Sequence, residues 1–290
     1  MIDLGSLDWR AAMRSPRVLI GAALVLAVVG CALLAPWIAP HDPEDQNLIA
    51  SLLPPFWIEG ADPAYPLGTD GLGRCVLSRL LFGARVAVYV AVTASFGAML
   101  IGGVLAHLAG YFGGRVDWLI GRAVDIWMSF PPVVLSLILM VAFGVGVNNV
   151  VLAIVLVDWT RFCRVLRSEA VVVMHRDYIS AARLVGFSHL QIIVRELLPA
   201  TAPLLVTLVS LEMGIAVVVE AILSFVGMSV EANVPAWGVM IADARSTMYQ
   251  SAWNIVLPIL AVFFTVLGFN LLGDGLRRTL DPRLAQRAGG

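Results

Sequence analysis

The sequence predicts an all-α, polytopic membrane protein with six transmembrane helices. Three observations carry that prediction. The 290 residues are 60% hydrophobic and only 13% charged, against about 25% charged in ordinary soluble domains, and mean hydropathy is +0.90. Several charge-free runs reach the ~20 residues that cross a hydrocarbon core. The basic residues crowd into alternate connections between those runs, as expected when one side of the membrane retains positive charge.

The elements follow in order. Residues 1–17 read as a basic cytoplasmic N-terminus, carrying Arg10, Arg14 and Arg17. Residues 18–39 are a first, uncleaved span, closed by Pro36-Trp37 and Pro40 rather than by a small-residue cleavage site. Residues 40–85 read as an acidic, proline-rich extracytoplasmic loop with a short helix near Arg74, Arg79 and Arg85. Residues 86–275 hold five further spans. Val86–Gly114 is the second, and a polar turn follows at Gly113–Asp117. Ile126–Val157 runs 32 residues without charge, and Gly144–Asn149 divides it into a third and a fourth span. Pro131-Pro132 and Pro258 remove backbone donors inside spans and predict kinks. A cytoplasmic loop over 164–200 lies within a wider charged island, 161–199. The fifth span, Ala202–Val230, contains Glu212 and Glu220, and the sixth is Ser246–Gly273. Residues 276–290 form a basic cytoplasmic tail. With both termini inside, 15 of the 19 arginines face the cytoplasm.

Composition also excludes chemistry. All 19 basic residues are arginine, so no phosphate-gripping Gly-Lys loop, Schiff-base lysine or Ser-Lys dyad can form. The chain does not hydrolyse ATP by itself. Cys31, Cys75 and Cys163, like His41, His107, His175 and His189, are scattered without metal-ligand spacing. No metal, cofactor or nucleic-acid site is expected. An intramembrane hydrolase has no support either, since neither a Gly-x-Ser-x-Gly elbow nor an H-E-x-x-H pair occurs.

Residues 178–199 are the most informative stretch. Ile179, Ala182 and Val185 keep a helical spacing, as do Leu190, Ile193 and Leu197, and Gly186 permits a sharp turn between the two sets. Arg176, Arg183 and Arg195 surround this apolar face. Periodicity leaves two readings open, a helix lying at the membrane surface or an element that docks a partner. Glu212 and Glu220 are costly in a bilayer and should face the bundle interior or water. They either line a path or gate, or are hydrogen-bonded structural groups. Asp158 and Arg161, three apart, are expected to pair on one helix face.

Motifs along nearly the whole chain resemble one family. Ala181, Ala182 and Gly186, closed by Leu198-Pro199, resemble the "EAA" loop of binding-protein-dependent ABC importer permeases. Leu67-Gly68-Thr69-Asp70 with Gly73-Arg74, Glu220-Ala221 with Leu223-Ser224-Phe225, and Phe269–Arg277 with Asp281-Pro282-Arg283 point to the second permease subunit of dipeptide, oligopeptide and nickel importers. The resemblance implies the type I importer permease fold in a bacterial inner membrane, with no bond chemistry in this chain. It implies a heterodimer with a homologous permease subunit, two cytoplasmic ATPase subunits that carry ATP and Mg, and an extracytoplasmic substrate-binding protein delivering solute. Ser180, Ala181, Ala182, Arg183, Gly186, Arg195, Glu196 and Pro199 would form the ATPase-coupling loop, and the acidic loop 40–66 would meet the binding protein. Ser180 stands where the family usually has Glu, Glu196 where this subfamily often has His, and Cys75 where Asp commonly follows Gly-Arg. Peptides are the expected solute, with nickel or a metal chelate as the alternative within the family. A proton-coupled transporter using Glu212 and Glu220 is the alternative outside it, and the absence of an internal repeat counts against it.

Overall fold

The computed structural model describes residues 15–231 and 233–280. Arg10 and Arg14, and in the tail Asp281-Pro282, Arg283 and Arg287, lie outside them. Among the described residues the regular structure is helical, joined by turns and irregular loops, with one isolated bridge between Thr69 and Cys75. In chain order the helices are α1 (Pro16–Ile38), α2 (Val76–Phe112), α3 (Gly114–Met128), α4 (Pro132–Phe143) and α5 (Val147–Met174). After them come α6 (Asp177–Leu184), α7 (His189–Ile192), α8 (Leu198–Phe225), α9 (Trp237–Ala244) and α10 (Trp253–Leu280).

Four helical runs are long and apolar enough to cross a membrane: α1, α2, His189–Phe225 and α10. The bent pair α3–α4 makes a fifth. α5, 28 residues long, falls outside that set because its second half carries Asp158, Arg161, Arg164 and Arg167, and it takes the fourth place in the expected order. The order of elements matches the six-span expectation.

Small residues hold the bundle together. Helices in lipid gain little from hydrophobic exclusion, so close backbone approach replaces it. Along the α2–α5 seam, Ala94, Ala98, Ala106 and Ala109 have no exposed surface. A Cβ on Gly102 would stand 2.2 Å from the Trp159 carbonyl. The α1–α10 seam works the same way: a Cβ on Gly21 would meet the Leu272 nitrogen at 2.5 Å. Substituting either glycine would force the helices apart.

Three boundaries differ from the sequence expectation. The short helix placed in the loop 40–85 is the opening of α2, which runs unbroken for 37 residues. At 1.5 Å per residue that is about 55 Å, well beyond a ~30 Å hydrocarbon core, so part of α2 extends outside the core. The loop expected from residue 164 begins about three turns later, because α5 continues to Met174. Arg164 and Arg167 are therefore helical, and they pair with α3: Arg164 Nη2 meets Asp125 at 2.9 Å, and Arg167 Nη2 meets Asp117 at 2.6 Å. The third span is bent by 87° between α3 and α4. Pro131 and Pro132 account for the break, since neither donates a backbone N–H and each drives the preceding residue out of helical conformation. By contrast Pro258 stays inside α10 without ending it.

Candidate coupling surface and translocation groove

The segment after α5 folds as two short helices on an apolar pedestal. Gly186, at φ 92°, makes the turn between α6 and α7, a conformation that costs a residue with a Cβ more than it costs glycine. Ser188 then starts α7 with a reciprocal capping box, its hydroxyl accepting from the Gln191 N–H and Gln191 Oε1 accepting from the Ser188 N–H. Ile179, Ile192 and Leu197 are fully buried against Ala170, Val173 and Met174 at the end of α5. Leu184, Val185 and Leu190 at the tip are 90%, 77% and 70% exposed. The expected apolar stripe is thus divided: Ile179 and Leu197 anchor it, while Val185 and Leu190 stand free. Ile192, outside the stripe, supplies the remaining anchor.

The predicted loop residues fall on both sides of this turn. Ser180, Ala181, Arg183 and Gly186 are exposed and Ala182 is half-buried. Arg183 also lies over the Tyr111 ring, 5.9 Å from its centre, and the Tyr111 hydroxyl sits 2.6 Å from His189 Nδ1. The loop is therefore tied to the end of α2 as well as to α5. Arg195 and Glu196 fall in a π-helical turn, Ile193–Leu197, that joins α7 to α8, with Pro199 just beyond it. Ala181 and Glu196 thus lie on different elements, linked through the buried pedestal.

Within the membrane the two glutamates have separate partners. Glu212 Oε2 lies 3.3 Å from Arg161 Nη1, and Arg161 Nη2 lies 3.4 Å from Asp158 Oδ1, the expected pair. The Glu212 and Asp158 side chains are buried and that of Arg161 is 36% exposed. Glu220, eight residues on, accepts hydrogen bonds from the Ser224 and Ser229 hydroxyls. It fastens α8 to the segment that follows it, and Gly146 N–H bonds the Ser229 carbonyl at 2.6 Å. Glu220 therefore has the surroundings of a structural group, and the two carboxyls form no common site.

Arg161 opens into a groove of about 350 Å³ between α4, α5, α8 and α10. Its walls are mostly aliphatic, with Val157, Ile215 and Val218 among them. Asp158, Arg161, Ser136 and Asn270 are its polar lining. Among the described residues, no three His, Cys, Asp or Glu side chains converge as metal ligands.

The opposite end of the bundle holds a cluster that sequence reasoning missed. Asp70 opens a tight turn by accepting from the Leu72 and Arg74 N–H groups, at 2.9 and 3.0 Å. Its other carboxylate oxygen takes Arg74 Nε at 2.7 Å and Arg79 Nη1 at 2.5 Å. Asp243 on α9 closes the cluster, meeting Arg74 at 2.8 Å and Arg79 at 3.3 Å. Two carboxylates thus balance two guanidinium groups, which lets Arg79 sit with 1% of its side chain exposed. The three N-terminal members were visible as a motif, but Asp243, 169 residues from Arg74, left no local signal.

Comparison with known proteins agrees with this architecture. Residues 98–286 match the family described as "Binding-protein-dependent transport system inner membrane component". Residues 5–55 match the "N-terminal TM domain of oligopeptide transport permease C". The chain is 36% identical to the di/tripeptide transport system permease protein DppC of Pseudomonas aeruginosa, covering 97% of this chain and 92% of that protein. It is 38% identical to the dipeptide transport system permease protein DppC of Escherichia coli K12, over 96% and 93% of the two chains. It is 35% identical to the glutathione transport system permease protein GsiD of Pectobacterium atrosepticum, over 95% and 90%.

Proposed function

Because the chain belongs to the binding-protein-dependent transport system inner membrane components, we propose that it is the permease subunit of an ATP-driven importer of short peptides. The names of its relatives, which carry dipeptides, tripeptides and glutathione, support that solute class. The chain supplies a path and a mechanical coupling, and no bond chemistry. Its partners are a homologous permease subunit, two cytoplasmic ATPase subunits that bind ATP and Mg, and an extracytoplasmic peptide-binding protein. The N-terminus and the loop at 175–197 face the cytoplasm, on the side that keeps most of the arginines.

One observation carries the coupling role. Leu184, Val185 and Leu190 form an exposed apolar tip on a buried pedestal, the arrangement of a knob held rigidly for a partner's cleft. Closure of the ATPases moves that knob. The displacement passes directly to α8, because His189–Phe225 is one continuous run, and through Tyr111 to α2. Reconstitution with the partner subunits and binding protein tests the reading. ATP-dependent uptake of dialanine is expected, and Leu190→Asp should reduce it at least tenfold while the complex still assembles. Full uptake by that variant would remove the knob from the mechanism.

A further inference from the structure

The groove contains one cation, and its setting is specific. Arg161 is the basic residue of the groove lining, and its guanidinium is the exposed member of the charged triad. A guanidinium has five N–H donors in a planar fork. Here one nitrogen meets Glu212 at 3.3 Å and another meets Asp158 at 3.4 Å. Both contacts are long for charge-assisted bonds, which run about 2.7–2.9 Å. Donors therefore remain for an acceptor arriving from the groove. The walls beside it are aliphatic, so such a contact is made in a medium that screens charge weakly.

We propose that Arg161 is a transient station for the C-terminal carboxylate of a peptide passing through the groove, an inference that rests on the peptide-import reading above. The two acids behind it set the strength of that station. A buried arginine with no counter-charge would hold a carboxylate too long for transport. Asp158 and Glu212 set carboxyl groups against that guanidinium, so the incoming carboxylate is held weakly and released. Conduction requires this balance, with binding favourable enough for entry and weak enough for exit. Both acids are nearly fully buried, Asp158 at 3% and Glu212 at 2% exposure, and both act through Arg161. Arg161 is then the contact residue and Glu212 a positioning residue, and their removal has opposite effects.

The test uses the intact transporter in nanodiscs without binding protein, titrated with dialanine and with dialanine amide, which lacks the carboxylate. Wild type should bind dialanine saturably and weakly. Arg161→Gln should weaken dialanine binding at least tenfold, and Arg161→Lys should restore part of it. Glu212→Gln should tighten it several-fold and, in vesicles, lower both KM and kcat for uptake. None of the three should move the affinity for the amide by more than about twofold. Stoichiometric co-purification of the partner subunits confirms folding of each variant. If a variant fails to co-purify, Asp158→Asn replaces it, with tightening expected as for Glu212→Gln. Absence of saturable dialanine binding by wild type, equal changes for acid and amide, or weakening in Glu212→Gln overturns the proposal. Uptake of dialanine by the wild-type transporter in vesicles tests peptide import separately and does not depend on Arg161.

Discussion

The two ends of this bundle are built on opposite plans. At the end that carries the loop after α1, Asp70, Arg74, Arg79 and Asp243 cross-brace the loop, α2 and α9. Gly238 of α9 lies so close to α8 that a Cβ would stand 2.2 Å from the Ala221 carbonyl. At the opposite end, α6 and α7 rest on three buried side chains and one capping box, while Leu184, Val185 and Leu190 face outward. The braced end resists deformation. The other end presents a surface and needs only enough internal structure to transmit a push.

That contrast can be broken from either side, and the largest effects belong to the braced end. Arg79→Ala leaves the nearly buried Asp70 and the more open Asp243, 42% exposed, facing one guanidinium. Removing one partner of a buried pair costs about 3–5 kcal/mol, so the assembled transporter should lose most of its steady-state level and melt at a clearly lower temperature. Gly238→Val overpacks the α8–α9 contact and should cost about 1–3 kcal/mol, read as a smaller drop in the same melting midpoint. At the opposite end, Ser188→Ala removes a helix cap and should cost about 1 kcal/mol, visible as faster proteolysis at 184–192 with the melting midpoint nearly unchanged. Leu190→Ser should shift stability by less than about 0.5 kcal/mol yet lower solute-stimulated ATP hydrolysis several-fold. A large melting shift in Leu190→Ser would show the tip to be structural and erase the contrast.

Features that rest on a local pattern were legible in the sequence. Charge-free runs gave the spans and their order, and Gly186 marked the turn because glycine tolerates the φ of 92° found there. Asp158 with Arg161 was readable because three residues on a helix bring side chains together. Features that rest on distant partners were not readable. Arg79 was readable as part of a short helix but not as buried, because a buried arginine there is tolerable only beside Asp70 and Asp243, and the latter lies 164 residues away. The 87° bend was foreshadowed by Pro131-Pro132, but a proline pair announces a break without its angle. Glu212 stood out as costly, whereas its partner Arg161 was assigned to Asp158 alone, since nothing local links positions 51 residues apart.

The wide turn at Ile193–Leu197 also sets a register. An α-helix advances about 100° and 1.5 Å per residue, and a π turn accommodates one residue more than an α turn would. Deleting a single residue there would restore ordinary winding with α6 and α7 near their present bearing, whereas deleting one from the regular first turns of α8 would swing them by about 100° around its axis. In that second case the six spans above would keep their packing while Leu184, Val185 and Leu190 pointed away from their former bearing. Such a deletion in α8 would give a transporter that assembles and melts normally but no longer meets its motor, a clutch disengaged by one residue.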